Sequence, residues 1–296
     1  MSARRVLSNA LFSLVLAIHG RAQTSKQPAF DVASVKPNKT EVRPSSNFPL
    51  GPGNAYTANG GYFSATNFPL VTYIAFAYKI MGDQVKSFVD QLPGWVTADR
   101  FDIQARVTGN PGKDQMRLMM RALLADRFKL AVHEEERQMS VAALTVAKEG
   151  KLGPKIQPHP AESPCPLDAA PAAMSPDPRF ALLCGGMLQM PPDVAGRIRV
   201  GARNVTMAFI AKVLSGGTGS ERPMVDRTGL SGNFDFTLEW TPEVRVPVKP
   251  GVEAQFDLSG PTFDEALRDQ LGLKLVSQKG SVSVLVLDHV EHPTEN

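Results

Sequence analysis

The chain has 296 residues, of which 32 are basic and 29 acidic, and this length suffices for one large domain or two small ones. The first 22 residues carry three of the arginines and no acid, so their removal would leave 29 basic residues against 29 acidic ones. A near-neutral chain has no electrostatic attraction to nucleic acid, and that class of partner is excluded.

Residues 1–22 have the pattern of a secretory signal peptide. Arg4 and Arg5 give a positive start, a mostly apolar run follows, and small residues precede Gln23. We therefore predict cleavage between Ala22 and Gln23 and a secreted or periplasmic protein. An uncleaved segment kept as an anchor is the alternative. The apolar run is shorter than the ~20 residues of a membrane span, and no later stretch is apolar enough, so no span is predicted after signal removal.

The first predicted unit, residues 23–147, alternates strands and helices. In chain order the elements are a strand at 29–36, a hairpin turned at Asn59–Gly60, a helix from Leu70 to about Gly82, a strand at 101–107, a helix at 111–127 and a hairpin that pairs 128–132 with 141–146 across a charged turn. Apolar residues alternate along 101–107, which predicts one face packed on a core. Met116, Met119 and Met120 predict the buried face of the second helix.

Residues 148–197 interrupt this pattern. Ten of the 24 prolines fall between 148 and 193, so we predict an insertion without regular elements that joins two halves. It holds both cysteines, Cys165 and Cys184, and an isolated pair in an exported chain is usually bridged. We predict a disulfide between them, and two free thiols are the alternative.

The second predicted unit, residues 198–296, repeats the order of the first. Its elements are a strand at 198–205, a helix from Met207 capped by Thr206, a short strand at 223–226, a strand at 234–240, a helix from Phe263 stopped by Gly272, and a hairpin that pairs 273–276 with 282–287. The helical faces match at a distance of 137 positions, as Leu70 matches Met207. The sequence therefore predicts an α+β fold of two related β-α-β-α-β-β units, with helices packed on mostly antiparallel sheet and joined by the Pro-rich insertion.

The sequence has no catalytic or cofactor motif. A nucleophile elbow, a P-loop, H-E-x-x-H and a dinucleotide fingerprint are all missing, and the glycines at 216–219 follow a helix where a phosphate loop would precede one. We therefore assign no catalytic, cofactor-binding or metal residue. Trp95 and Trp240 are interpreted as core or rim anchors.

Two weaker constellations remain. Asp102 and Asp235 occupy equivalent strand positions and are the acids a carboxylate hydrolase would use, although we place them on the solvent side of their sheets. His289 and His292, with neighbouring acids, have ligand-like spacing, but a metal site needs three or four converging ligands.

Several long motifs resemble a soil-associated bacterial protein family of unknown function. Among them are FDVASVKPN, LPGWVTADRFDIQARVTGNP and RPMVDRTGLSGNFDFTLEW, and the resemblance covers residues 30–296 with a departure at 81–90. It implies a domain also found behind membrane metallopeptidases of the antibiotic-sensor type. The repeated units are similar, more weakly, to the short N-terminal domains of secretins and TonB-dependent receptors. The resemblance implies no reaction and no site residue.

These observations favour an exported, non-enzymatic binding or sensory module whose partner is an envelope or extracellular protein or a small ligand. An extracytoplasmic hydrolase that uses carboxylates is the first alternative. A structural envelope component is the second. A cleft in which acids converge would indicate an enzyme, whereas an apolar surface with scattered acids would indicate a binding module.

Overall fold

The computed structural model describes residues 28–162, 165, 180, 184–218, 222–242 and 259–293. The predicted signal peptide and the Ala22–Gln23 cleavage position lie outside these residues. Within them the fold is α+β, with helices packed on mostly antiparallel sheets, as the sequence predicts. In this described part no helix is long and apolar enough to cross a membrane.

The elements follow one another in similar order in the two halves. The first half contains β1 (Val32–Asn38), β2 (Ser45–Ser46), β3 (Tyr62–Pro69), α1 (Leu70–Tyr78), α2 (Asp83–Val89), α3 (Gly94–Ala98), β4 (Arg100–Arg106), α4 (Lys113–Phe128) and β5 (Ala131–Val146). The second half contains β6 (Ile156–Pro158), β7 (Gly186–Met190), β8 (Ile198–Thr206), α5 (Met207–Leu214), a 3-10 turn (Ser215–Thr218), β9 (Met224–Asp226), β10 (Asn233–Trp240), α6 (Phe263–Ala266), a π-helical turn (Leu267–Leu271) and β11 (Leu273–His289).

Two four-stranded antiparallel sheets have equivalent strand orders. The first is β1-β4-β3-β2 and the second is β6-β10-β8-β7, so each element of one sheet has a counterpart in the other. In both sheets a helix directly follows the third strand of this order, α1 after β3 and α5 after β8. This correspondence agrees with the two related units predicted from the sequence.

The predicted apolar faces of α1 and α5 are buried. They are formed by Leu70, Tyr73, Ile74 and Ala77 in α1, and by Met207, Ile210, Ala211 and Leu214 in α5. Thr206 caps α5, because its Oγ1 accepts the Phe209 backbone N–H at 3.2 Å. Gly272 ends the last helical turn in the left-handed region, with φ 69°, as predicted.

The two predicted terminal hairpins are wrong. β5 and β11 are each one continuous strand, and they pair with each other in antiparallel register from Ala131–His289 to Val146–Leu273. A hairpin and a long ribbon present the same alternation of apolar residues, so the pattern does not distinguish them. Residues 134–138 also lack the Gly, Pro or Asn that a tight turn needs. Gly280 is a paired strand residue, and a Cβ there would come 3.0 Å from a methyl group of Val141.

The ribbon formed by β5 and β11 connects the two cores. Gln138 pairs with Ser281, and each lies nine positions after the left-handed residue that ends the preceding helix, Lys129 and Gly272. The ribbon therefore has a local two-fold symmetry. Leu144 of β5 is buried in the core of the second sheet, whereas Leu285 and Leu287 of β11 pack on the core of the first. Each half thus supplies a strand end to the core of the other.

Two further predictions need correction. Gly60 and Gly61 have positive φ and form a turn, but residues 55–58 form no strand, and β3 pairs with β2 instead. The insertion does contain regular elements, because β6 and β7 are the edge strands of the second sheet. Edge strands this short, of three and five residues, need few ladder hydrogen bonds, which is why prolines beside them are tolerated.

Candidate functional site

The two candidate acids, Asp102 and Asp235, lie at equivalent places on β4 and β10, but in separate sheets. Each accepts a hydrogen bond from the backbone N–H of an asparagine in the left-handed region: Asn67 at 2.8 Å and Asn204 at 2.9 Å. Asparagine adopts this conformation more readily than most residues, and both asparagines mark a register shift in the sheet. The acids therefore stabilise matching bulges before α1 and α5.

Asp235 lies in a more buried environment than the sequence predicts. It is 3% exposed, its Oδ1 lies 2.6 Å from His159 Nδ1, and its Oδ2 lies 3.9 Å from Arg203 Nε. The prediction of a solvent-facing side chain is wrong here, because the second face of β10 is also covered, and Thr237 and Glu239 are buried as well. Asp102 is half-buried. The two acids do not converge on one site.

Replacing Asp235 by alanine is expected to lower the free energy of unfolding by about 2–4 kcal/mol, because the Asn204 N–H and His159 lose a buried acceptor. Asp235→Asn should cost less, since the amide oxygen can still accept. Urea denaturation measures both, with exposed Asp90→Ala as the control. Equal midpoints for Asp235→Ala and the control would contradict this structural role.

The histidines near the C-terminus and their neighbouring acids do not converge on a common metal site. Its side chains take separate partners: His289 with Glu291 at 2.7 Å, Asp288 with His133 at 2.8 Å, and His292 with Asp99 at 3.3 Å and with the Trp95 ring at 4.0 Å between centroids. Among the described residues no group of three or more His, Cys, Asp or Glu side chains could hold a metal ion. These side chains fasten the end of β11 to the first unit.

Cys165 and Cys184 lie with their sulfur atoms at bonding distance and their Cα atoms 5.6 Å apart. This Cα separation is within the usual disulfide range. The geometry fits the predicted pairing, and bond formation in the exported protein stays a prediction.

A cleft of about 480 Å³ opens between the two halves. It is bounded by residues 46–57 of the first half and by β7 and α5 of the second, and its apolar wall consists of Phe48, Pro49, Tyr56, Met187, Phe209 and Val213. Its volume and lining are typical of sites for small organic molecules. Neither Asp102 nor Asp235 lines it.

Among the described residues in the wall of this cleft, Lys113 is the one with an ionisable ammonium group. It is 5% exposed, and its Nζ donates to the Ala55 carbonyl oxygen at 2.9 Å. Within the described part of the chain it has no ion-pair partner, because the adjacent Asp114 pairs with Lys79 and Arg117. Burial, then repulsion by Arg117 and Lys79, lowers the pKa of Lys113 to about 7, against the smaller attraction of Asp114. A buried lysine that has no counter-ion among the described residues thus faces an apolar cleft.

Arg117 fastens the wall that carries Ala55. This guanidinium is 2% exposed and donates through Nη2 to the carbonyl oxygens of Pro52 and Gly53, both at 2.8 Å, and through Nη1 to Asn54 Oδ1 at 3.2 Å. The same segment approaches β7 closely: a Cβ on Gly53 would lie 2.8 Å from the backbone of Gly185, and the Asn54 N–H donates to that residue at 2.6 Å. The cleft is therefore held in shape by both halves.

Lys113 and Arg117 were not identified from the sequence, although two signals were present. A lysine in the first helical turn opposes the helix dipole, which favours acids there. Arg117 falls in the apolar stripe of α4, three positions before Met120 and seven before Leu124. A charge in a buried stripe is unusual and marks a specific environment.

The model of a family described as protein of unknown function (DUF3738) matches residues 71–290. No curated protein and no solved structure matches the chain. The matched span contains Lys113, Arg117 and α5, but not the cleft wall at 46–57. Since it covers more than half of the sequence, the chain belongs to this DUF3738 family of proteins of unknown function.

Proposed function

We propose that the protein is an exported, non-enzymatic binding or sensory module, and that the cleft at Lys113 holds a small organic molecule with an apolar body and one anionic group. One observation carries this proposal. Lys113 is buried in the wall of an apolar cleft and has no counter-ion among the described residues.

The physical argument concerns the cost of that lysine. A buried ammonium without a counter-ion is unfavourable, and its lowered pKa expresses this cost. A bound anion would pair with Nζ, raise the pKa of Lys113 and so cause proton uptake at neutral pH. The aromatic and aliphatic walls would bury the apolar part of the ligand, which stabilises the complex by about 25 cal/mol per Å² of apolar surface.

Export and the sensory role rest on the sequence. The predicted signal peptide, the cysteine pair at disulfide distance and the described helices, none of which could span a membrane, agree with a secreted or periplasmic protein. The resemblance to domains behind antibiotic-sensor metallopeptidases favours ligand sensing over a merely structural role. The soil association and the weaker similarity to secretin and TonB-receptor domains remain expectations from that resemblance. An envelope or extracellular protein stays an alternative partner.

The two alternatives receive less support. A hydrolase that uses Asp102 and Asp235 would need both carboxylates in one cleft, whereas each is hydrogen-bonded within its own sheet. A structural envelope component would not require a cleft with a buried lysine in its wall and a buried arginine that fixes the shape of that wall.

Titration with 1-anilinonaphthalene-8-sulfonate tests the proposal, because this probe combines an apolar aromatic body with one anionic group. We expect saturable binding to the folded mature chain with 1:1 stoichiometry. Lys113→Met should weaken that binding at least tenfold, since a charge-assisted hydrogen bond contributes about 1.5–3 kcal/mol. The neutral analogue N-phenyl-1-naphthylamine should bind Lys113→Met at least as well as the unchanged protein.

The exposed variant Lys274→Met is the control for net charge. Circular dichroism confirms that each variant is folded, because the sulfonate probe also binds partly unfolded chains. The proposal fails if the folded protein shows no saturable binding, or if Lys113→Met and Lys274→Met bind the sulfonate equally.

A further inference from the structure

A second cavity, of about 620 Å³, lies between the two halves at the middle of the ribbon. We call it the interunit cavity. Its wall is formed by the end of α1 and by α2, α4, α5 and β9. The ribbon contributes residues 281–285 of β11 together with Glu134 and Met139 of β5. Within the described part of the chain, none of its lining residues also lines the cleft at Lys113.

Among the described residues that line the interunit cavity, three are cationic and one is anionic. These are Lys79, Arg121 and Lys212, against Glu134. Lys79 already pairs with Asp114, at 2.8 Å, and Glu134 accepts the hydroxyl of Ser283 at 3.2 Å. Two cations, Arg121 and Lys212, are left without an ion pair in the residues that the structure describes.

Arg121 is held in place with its terminal nitrogens available. Its Nε donates to the Ala77 carbonyl oxygen at 2.8 Å, and its guanidinium lies 4.5 Å from the centroid of the Tyr78 ring. The hydrogen bond and the aromatic contact fix the plane of the group, but neither uses Nη1 or Nη2. Nη1 and Nη2 have no hydrogen-bond partner among the residues that the structure describes. A planar guanidinium held in this way matches the paired oxygens of a phosphate or carboxylate.

We propose that the interunit cavity binds a small organic phosphate, with Arg121 and Lys212 contacting the phosphate group. Two unpaired cations suit the two charges of a phosphate monoester at neutral pH. The volume is far larger than a phosphate ion requires, and Ser87, Gln84, Phe88 and Val284 offer polar and apolar contacts for an organic body. The ligand would contact both halves and the ribbon that connects them.

Calorimetric titration of the mature chain with glucose 6-phosphate tests this inference. We expect saturable binding that weakens as salt concentration rises, because screening reduces the attraction of the two cations. Arg121→Gln and Lys212→Gln should each weaken binding about tenfold, and the double variant should abolish it. The remote, exposed variant Lys274→Gln has the same change in net charge and should bind like the unchanged protein.

Three results would overturn the proposal. They are no saturable binding of glucose 6-phosphate, unchanged affinity in Lys212→Gln, and equal affinity for inorganic phosphate, which would show that the organic body makes no contact. Lys212 is exposed, so its replacement should leave the fold intact even if Arg121→Gln does not fold. Lys113→Met should leave this binding unchanged, which separates the interunit cavity from the cleft.

Discussion

Alanine in place of Phe236 is expected to lower the free energy of unfolding by about 3–5 kcal/mol. Phe236 is 0% exposed and lies in the middle of β10, which pairs with β6 on one side and β8 on the other. Its ring belongs to the same buried cluster as Ile210 and Leu214 of α5. Because strands on both sides hold the backbone, the site cannot collapse fully around the cavity that alanine leaves.

Urea denaturation followed by circular dichroism measures this loss. Leu118→Ala is a suitable control, since Leu118 is 43% exposed on α4 and its truncation removes little buried surface. We expect the control to change stability by about 0.5 kcal/mol or less. A loss of less than about 1 kcal/mol for Phe236→Ala would show that β10 is not at the centre of the second core.

Methionine in place of Lys113 is expected to stabilise the fold at pH 6, and the gain should shrink as the pH rises toward 10. In the folded protein the pKa of Lys113 is lowered to about 7, from 10.5. Between these values the unfolded chain binds the additional proton, so the stability of the unchanged protein rises with pH. The cost of the buried charge is therefore fully present below about pH 7 and lost above about pH 10.5. A shift of this size corresponds to roughly 3–5 kcal/mol, from which the lost Ala55 hydrogen bond subtracts about 1.

Denaturation midpoints at pH 6, 8 and 10 test this expectation. Lys274→Met at an exposed strand position is the control and should show a small effect that does not depend on pH. A stability difference between Lys113→Met and the unchanged protein that stays constant from pH 6 to pH 10 would mean that Lys113 titrates normally. The proposed pairing with an anion in the cleft would then lose its physical basis.

The local patterns of the sequence determined the helices, their buried faces and most strands. Period-two alternation along 234–240 predicts the buried face of Phe234, Phe236, Leu238 and Trp240, and all four are buried. The cap at Thr206 and the stop at Gly272 are equally local. Local backbone preferences and the spacing of apolar residues act over a few positions, so they can be read without knowledge of the fold.

The duplication could also be predicted, because a comparison of the sequence with itself reveals it. The most specific feature of the duplication is harder to recognise in the sequence. In each unit an aspartate accepts a hydrogen bond from the backbone N–H of a left-handed asparagine: Asp102 from Asn67 and Asp235 from Asn204. Asn67 and Asn204 are separated by the same 137 positions as the matching helical faces, which indicates that they are equivalent residues of the two units. The hydrogen bonds themselves join neighbouring strands, and their register is not visible in the sequence.

Only the tertiary structure decided which strands pair in the ribbon and which charges are buried. The apolar alternation of β5 is compatible with a hairpin inside its own sequence and with pairing to β11. The choice depends on contacts between residues that are mostly 130 or more positions apart in the chain. Lys113 is 5% exposed in the wall of a cleft that residues 46–57, β7 and α5 line from elsewhere in the chain. Strand partners and the degree of desolvation are set by long-range contacts, and the residues next to a side chain in sequence do not specify those contacts.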